Sequence, residues 1–385
     1  LLGLWLEPVW ARSHAGAGTA LAMLILGAVG MAAYASVTGG ATATNPRSVM
    51  RRAGLFASLV AGMYRPWMQG HAQTQPDTPD PWPERVLILS HKPVLPHLVA
   101  VQSESFLDPR RHFAGIKEDL LTHFDELAQQ GVSGPLQVPA FGANTVRSEY
   151  AFLSGTSAAE LGARRYNPYR YVRPGCLDQT VVRALKTAGY QTLCIHPYYG
   201  DYYARNRVMP LFGFDKFLDI RAFSAAEVSA NPSPYIGDAV LAERVAQELA
   251  QAKAPLFIFV ITMENHGPLG LESLIAGEAK NYIRSDAEFS SDDELVIYLR
   301  HLCNADRMLG RLSRALDQTE RGGALCWYGD HPPILPGLWS QCGYPGRWTD
   351  YLIWSTQLSS SNVGKRQLMS LIDLFKSFLI ANSRL

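Results

Sequence analysis

The feature that most constrains this chain is an alternation of apolar strand patterns with amphipathic helix patterns, which begins near residue 85. The strand patterns cover residues 86–89, 98–102, 191–195, 256–262, 324–328 and 351–354, and the helix patterns cover residues 178–188, 237–251, 292–316 and 367–381. Continuously apolar strands between amphipathic helices are typical of a parallel sheet whose two faces are covered. We therefore predict an α/β fold with a mostly parallel central sheet and helices on both faces.

The amino-terminal part of the chain has a different character. Residues 15–37 carry no charge, and roughly 20 apolar residues are enough for a helix that spans a bilayer. We predict that residues 1–40 are a transmembrane region and, since no initiator Met is present, a fragment of a longer membrane domain. A cleaved signal peptide is the alternative, although its apolar region is normally shorter. Residues 41–84 are predicted to form a juxtamembrane amphipathic helix and a Pro-rich linker before a catalytic domain at 85–385.

Charge and cysteine content exclude several classes of protein. The 35 Lys and Arg residues nearly balance the 34 Asp and Glu residues, whereas nucleic-acid-binding domains carry basic surfaces, so no nucleic acid is expected as a partner. The five cysteines include no CxxC pair, which excludes zinc ribbons and redox motifs of that kind. Whether they form disulfide bonds stays open.

Acidic and imidazole side chains follow four of the predicted strands. Glu104 follows "HLVAVQ", Asp330 and His331 follow "ALCWYG", His266 lies just beyond "PLFIFVIT", and His196 follows "YQTLCI". In parallel α/β sheets the ligand site lies beyond the carboxyl ends of the strands. A Glu, an Asp and a His that meet there make a three-residue set for a divalent metal ion.

Thr145 lies in "FGANTVRSEYAFLSG", between a glycine-bearing turn and a helix pattern. By itself, this threonine would be interpreted as a helix N-cap. Beside a metal site its hydroxyl is a candidate nucleophile, since a hydroxyl that binds a cation loses its proton more easily. The start of a helix also favours a phosphate. Ser148 and Glu149 are interpreted as supports for the helix start.

Five motifs occur in the order found in the lipoteichoic acid synthase-like family, namely "VQSESF", "FGANTVRSEYAFLSG", "HPYYGDYYARNRVMPLFGFDKFLD", "FVITMENHGP" and "YGDHPP". The chain resembles this family over roughly residues 95–355. The family consists of membrane-anchored phosphoglycerol transferases within the alkaline phosphatase/sulfatase superfamily. The resemblance implies the alkaline phosphatase-like α/β fold for the catalytic domain.

The resemblance also implies roles for single residues. It implies that Glu104, Thr145, Asp330 and His331 bind one divalent metal ion, Mn²⁺ or Zn²⁺. It implies further that Thr145 attacks the phosphodiester of a phospholipid, phosphatidylglycerol or phosphatidylethanolamine, and holds the headgroup as a phosphothreonine until a glycan or glycolipid acceptor takes it.

Substrate-binding residues are implied in the same way. Arg205 and His266 match positions that bind the substrate phosphate and headgroup, and Tyr203 matches an aromatic residue of the headgroup pocket. His196 is expected at the same pocket. Arg147 departs from the family, which carries a small or acidic residue there. Each position also has an ordinary alternative, such as a turn for Asp330 and His331 or a solvated basic face for Arg205.

Two other functions compete with the transferase. One is a phosphodiesterase, phosphatase or sulfuric ester hydrolase on the same scaffold, although formylglycine chemistry is disfavoured because "CGYPGR" has the wrong spacing for its C/S-x-P-x-R signal. The other is a non-catalytic, membrane-tethered binding module. We expect a bacterial plasma-membrane protein whose catalytic domain faces the periplasm or cell exterior. Arg47, Arg51 and Arg52 after the apolar segment point to the opposite orientation.

Overall fold

The computed structural model describes residues 27, 94–229, 233–287, 289, 292–357 and 363–381. The chain divides into two units, Leu1–Thr74 and Gln75–Leu385, and every described residue except Gly27 lies in the second. The predicted membrane span apart from residue 27, the juxtamembrane segment and the predicted strand at 86–89 lie outside the described residues. Within the described residues, no helix has both the length and the apolar character needed to cross a bilayer.

The second unit contains strands and helices in alternation. The strands are β1 (His97–Ser103), β2 (Val132–Gln137), β3 (Gln191–Ile195), β4 (Lys216–Leu218), β5 (Leu256–Ile261), β6 (Gly323–Gly329), β7 (Trp348–Ser355), β8 (Lys365–Arg366) and β9 (Met369–Ser370). The helices are α1 (Thr122–Gln130), α2 (Val146–Ser154), α3 (Ala158–Leu161), α4 (Val181–Thr187), α5 (Arg205–Phe212), α6 (Ala225–Val228), α7 (Asp238–Gln251), α8 (Ala279–Tyr282), α9 (Asp293–Asp317), α10 (Pro336–Cys342) and α11 (Leu371–Ala381).

The strands form one sheet in the order β4-β3-β5-β1-β6-β7-β2-β8, with β9 also paired to β2. The five strands β4, β3, β5, β1 and β6 are parallel to one another, which confirms the predicted mostly parallel sheet. β7 runs antiparallel to both β6 and β2. The apolar pattern of β7 identifies a buried strand, but it carries no information about strand direction.

Both faces of the sheet are covered, as predicted. Successive side chains of a strand point to opposite faces, so Val99 and Val101 of β1 enter one core while Leu98 and Ala100 enter the other. The first core is completed by α1, α7 and α9, and the second by α2, α4, α5 and α11. β1, β5 and β6 are buried along their whole length, which explains their continuously apolar sequences.

Local capping signals set the helix boundaries. α9 begins where predicted because the Asp292 side chain accepts a hydrogen bond from the Leu295 N–H. α4 begins three residues later than predicted because the Thr180 hydroxyl caps it. α11 begins at Leu371 rather than at residue 367 because Met369–Ser370 pairs with β2.

The sequence prediction omitted β2. This strand reads "VSGPLQ", and Gly and Pro are depleted in strands because they weaken the ladder of backbone hydrogen bonds.

None of the five cysteines forms a disulfide bond.

The strand order places the predicted site residues together. β1 lies between β5 and β6, and Ser103 of β1 is paired with Gly329 of β6. The residues that follow these two positions, Glu104 and Asp330, therefore leave the sheet side by side. Gly329 is required here because a Cβ at this position would lie 1.9 Å from the carbonyl oxygen of Phe106.

Candidate active site

The carboxyl ends of β1 and β6 bring Glu104, Asp330 and His331 into one buried cluster. Ligand atoms of the three residues lie within 4.8 Å of one another. The Nε2 of His331 is 3.4 Å from Oε1 of Glu104 and 3.3 Å from Oδ2 of Asp330. The predicted three-residue set is therefore assembled in the fold.

The chemistry of this cluster fits a divalent cation. Oε2 of Glu104 and Oδ2 of Asp330 are buried and have no hydrogen-bond partner among the described residues. The Nδ1 of His331 lies 3.1 Å from the carbonyl oxygen of Pro332, and since a carbonyl can only accept, Nδ1 carries the proton and Nε2 offers its lone pair in the neutral ring. Unpaired carboxylate oxygens and an imidazole nitrogen are ligands of Mn²⁺ and Zn²⁺.

The pKa shifts of the three ligand residues show that the cluster favours positive charge. Burial, followed by the neighbouring Glu104 carboxylate, raises the pKa of Asp330 to about 7. Burial also raises the pKa of Glu104. Burial by itself would lower the pKa of His331, but the Asp330 and Glu104 carboxylates outweigh it and raise that pKa. Without a metal ion the cluster therefore retains protons that a bound cation would displace.

Ser105 and Thr262 hold the ligands in place. The Ser105 N–H donates to Oδ1 of Asp330 over 2.9 Å, and the Ser105 hydroxyl donates to Oε1 of Glu104 over 3.1 Å. The Glu104 N–H donates to the Thr262 hydroxyl over 2.9 Å. Ser105 has φ 54°, a left-handed conformation that is uncommon for residues other than glycine. Such contacts fix the orientation of metal ligands.

Thr145 stands immediately before α2, at the N-cap position, but its hydroxyl makes no capping hydrogen bond. The alternative interpretation of Thr145 as a helix-capping hydroxyl is therefore wrong. The preceding turn uses two left-handed residues, Gly142 with φ 61° and Asn144 with φ 68°. The Ser148 hydroxyl donates to the Asp330 carbonyl over 2.7 Å, which ties the start of α2 to the metal-ligand cluster. A bond from Thr145 to the metal ion itself stays a prediction.

Glu149 does more than support the helix start. Its carboxylate accepts hydrogen bonds from Nε of Arg205 over 3.0 Å, from the Nη2 of the same residue, and from the Tyr169 hydroxyl over 2.8 Å. Both charged side chains are buried, so Arg205 is not part of a solvated basic face. The sequence signal for this role of Glu149 was its spacing from Thr145 and Ser148. Residues at i, i+3 and i+4 lie on one face of a helix.

Of the three other residues that are predicted to bind substrate, two line the cavity and one does not. Tyr203 and His266 line the same cavity as Thr145 and Arg205. The Arg205 guanidinium lies 5.4 Å from the Tyr203 ring centre. His196 is fully buried and is not among the residues that line the cavity. Its Nδ1 is 3.4 Å from the Ile261 carbonyl, and its Nε2 has no partner among the described residues.

His266 is held in one tautomer. Its Nδ1 is 2.7 Å from the Gly267 carbonyl and 3.2 Å from the Tyr235 hydroxyl. Because the carbonyl accepts, Nδ1 donates, and Nε2 of the neutral ring carries a lone pair. Burial lowers the pKa of His266, which favours this neutral form near pH 7.

Asn265 was missed by sequence reasoning. It is buried, it lines the cavity, and neither Oδ1 nor Nδ2 has a hydrogen-bond partner among the described residues. An unpaired buried amide is costly, so this side chain is suited to a polar ligand. Its position next to His266 in "MENHGP" was the available signal.

The cavity has a volume of about 500 Å³, which lies within the usual range for sites that bind small molecules. The residues that share it include Glu104, Thr145, Tyr203, Arg205, Asn265, His266 and His331. One pocket therefore combines a candidate metal centre, a candidate nucleophile, a buried guanidinium and an unpaired amide.

Comparisons with known proteins agree with this arrangement. Residues 96–381 match the model of the Sulfatase family. The capsular polysaccharide biosynthesis protein RkpI of Rhizobium meliloti (strain 1021) is 33% identical to this chain over 262 residues, which are 67% of this chain and 45% of that protein. The chain thus spans less than half the length of this curated relative.

Two solved structures share the fold. The Streptococcus pyogenes phosphoglycerol transferase GacH, in complex with sn-glycerol-1-phosphate, has a TM-score of 0.61 and 20% identity, covering 78% of this chain and 79% of that one. The lipoteichoic acid synthase LtaP from Listeria monocytogenes has a TM-score of 0.57 and 18% identity, covering 77% of this chain and 78% of that one. These matches confirm the resemblance found in the sequence. Because the family model spans most of the chain, the protein belongs to the sulfatase family.

Proposed function

We propose that this protein transfers a phosphoglycerol headgroup from a phospholipid to a glycan, through a phosphothreonine formed on Thr145. One observation carries the proposal. The Thr145 hydroxyl does not cap its helix, and Thr145 lines the cavity together with Arg205 and with Glu104 and His331 of the metal-ligand cluster. A hydroxyl, a cation site and a guanidinium in one cavity are the parts required for phosphoryl transfer.

In the first step, Oγ1 of Thr145 attacks the phosphorus of the lipid phosphodiester. The new O–P bond forms as the bond to the diacylglycerol oxygen breaks. Nε2 of neutral His266 is suited to take the hydroxyl proton and to return one to the departing oxygen. In the second step the acceptor hydroxyl attacks the phosphothreonine, the Thr145 O–P bond breaks, and Thr145 regains its proton.

Charge is supplied from two sides of the cavity. Glu104, Asp330 and His331 would hold one divalent cation, Mn²⁺ or Zn²⁺, which when bound supplies positive charge to polarise the phosphoryl oxygen. Arg205, held in place by Glu149, presents a fixed guanidinium that suits a phosphate. Because the guanidinium is buried and its position is set by the ion pair, little reorganisation is required during the reaction.

Asn265 supports the choice of headgroup. A side-chain amide with an unpaired donor and an unpaired acceptor matches hydroxyl groups, which both donate and accept, whereas an ammonium group only donates. This observation favours the hydroxyls of phosphatidylglycerol over the ammonium group of phosphatidylethanolamine. The glycan acceptor is supported by the relative that is named for capsular polysaccharide biosynthesis. A lipid donor requires a membrane location, and we propose that the domain faces the periplasm or cell exterior.

The alternative functions account for less of the structure. Formylglycine sulfatase chemistry requires a Cys or Ser precursor, whereas Thr145 occupies the candidate nucleophile position. A non-catalytic binding module would have no need for the buried, unpaired carboxylate oxygens of Glu104 and Asp330, which are costly to keep.

The test is Thr145→Ala in the full chain, assayed for diacylglycerol release from phosphatidylglycerol and phosphatidylethanolamine. We expect release to fall by about 10³-fold or more, metal content by elemental analysis to be unchanged, and the wild type to prefer phosphatidylglycerol. Thr156→Ala is the matched control, since Thr156 lies after α2 and outside the cavity. Undiminished headgroup release by Thr145→Ala would exclude the phosphothreonine.

A further inference from the structure

A surface patch beside the cavity combines exposed apolar side chains with arginines. We call it the basic–aromatic rim and define it by Phe141, Arg147, Ile334, Tyr344 and Arg347. The three apolar members are 42%, 60% and 59% exposed, respectively. Large apolar side chains that are exposed together mark a surface that binds something else.

The rim is one continuous patch at the mouth of the cavity. The rings of Phe141 and Tyr344 are 5.4 Å apart. The Val138 N–H donates to the Arg347 carbonyl over 3.0 Å, which joins the two segments that carry the rim. Ile334 lies against Gly142, and both also line the cavity that contains Thr145.

Arg147 has a positive charge that no described residue balances. It forms no ion pair with any described residue, and its buried Nε has no hydrogen-bond partner there. Burial lowers the pKa of Arg147, and the neighbouring positive charges of Arg347 and Arg165 lower it further. The guanidinium also lies 5.8 Å from the ring centre of Tyr166.

Three other arginines with partly or fully buried side chains have carboxylate partners. Arg205 pairs with Glu149, Arg300 pairs with Glu272 and Glu278, and Arg110 pairs with Asp108 and Asp125. Burial of an unpaired charge is unfavourable, so the buried Nε of Arg147, which has no partner among the described residues, indicates that an anion from outside the chain completes this site.

We propose that the basic–aromatic rim docks on the anionic surface of a phospholipid bilayer. Arg147 and Arg347 bind lipid phosphates, while Phe141, Ile334 and Tyr344 enter the headgroup region. Paired basic and apolar side chains are typical of interfacial binding, and arginines near an anionic surface are attracted to it. Docking on this side turns the mouth of the Thr145 cavity toward the bilayer, where the phosphodiester of a lipid lies.

The proposal goes beyond the proposed reaction and does not depend on it, so it is tested in the Thr145→Ala background. The full chain is reconstituted in vesicles of phosphatidylcholine with or without phosphatidylserine. Hydrogen exchange is then measured for peptides that cover residues 138–147 and 333–347. We expect phosphatidylserine to slow exchange in both segments. The variant Arg147→Gln/Arg347→Gln should lose at least half of that protection, and Phe141→Ser/Tyr344→Ser should lose it even in low salt.

The matched control is Arg221→Gln/Arg311→Gln, which removes the same charge far from the rim. Arg221 follows β4 at the opposite edge of the sheet, and Arg311 lies on α9. This control should keep full protection. Equal exchange with and without phosphatidylserine, or equal protection in Arg147→Gln/Arg347→Gln, would overturn the proposal. Protection by an acidic polysaccharide but not by lipid would identify the rim as an acceptor site and would also overturn it.

Discussion

Arg205 and Glu149 show how single residues prepare this site. The guanidinium is 2% exposed and the carboxylate 0% exposed, so each charge is removed from water and depends on the other. A lysine could not replace Arg205, because the planar guanidinium bonds to the carboxylate through two nitrogens. The pair is therefore a positioning device that holds one positive charge at the cavity.

Replacement of Glu149 by Gln tests this interpretation. The change leaves the Arg205 charge buried without a counter-charge, and we expect the free energy of unfolding to fall by about 3–5 kcal/mol. Urea unfolding measures this loss. The double variant Glu149→Gln/Arg205→Met should recover much of the stability but lose headgroup transfer, because the guanidinium is gone. If Glu149→Gln has the stability of the wild type, the ion pair does not position Arg205.

At the scale of elements, the start of α2 is attached to the end of β6. The Ser148 hydroxyl donates to the Asp330 carbonyl, so the helix that presents Thr145 and the strand that presents Asp330 move together. β2, which leads into α2, lies two strands away from β6 in the sheet. This contact adds to the turn at residues 138–144 and to the packing of α2 in the second core, which also set the position of Thr145.

The variant Ser148→Ala removes this attachment. Loss of one hydrogen bond should lower the free energy of unfolding by about 1 kcal/mol. Because Thr145 is then less well positioned, we expect kcat for headgroup transfer to fall more than tenfold with little change in KM. The control is Ser154→Ala, since the Ser154 hydroxyl donates to Tyr150 within the same helix. Equal kinetics for the two variants would contradict the role of Ser148.

At the scale of the whole molecule, the metal-ligand cluster couples stability to pH and to metal. The pKa of Asp330 is raised from 3.8 to about 7, first by burial and then by Glu104. A carboxyl whose pKa is raised on folding stabilises the folded state below its ordinary pKa, and this contribution is lost as the pH rises through the folded pKa. A metal ion that replaces the proton restores the stability.

Thermal unfolding with and without chelator tests this coupling. We expect the metal-free protein to lose stability as the pH rises from about 4 to about 7, and Mn²⁺ or Zn²⁺ to restore about 2.7 kcal/mol when its concentration is about 100 times Kd. Asp330→Asn should reduce both effects, while the raised pKa values of Glu104 and His331 leave part of the pH dependence. A metal-free protein that becomes more stable over this pH interval, or that does not respond to either ion, would argue against the cluster as a metal site.

Much of the fold and of the metal-ligand cluster was determined by the sequence alone. β1, β3, β5 and β6 are continuously apolar because both faces are buried, and the residues that follow such strands meet at one edge of the sheet. This is why Glu104, Asp330 and His331 could be brought together without a structure, although they are far apart in the chain. Thr145 was also identified from the sequence, but through a different signal, namely the glycine-bearing turn before it and the helix pattern after it.

The tertiary structure alone decided which side chains are paired and which are not. The bond from Arg205 to Glu149 joins residues 56 positions apart, and neither local periodicity nor composition encodes such a contact. The same holds for the unpaired amide of Asn265, the unbalanced charge of Arg147, the direction of β7 and the burial of His196. Local sequence patterns depend on interactions between residues that are close in the chain. The properties named above depend instead on which distant segments pack together in the fold.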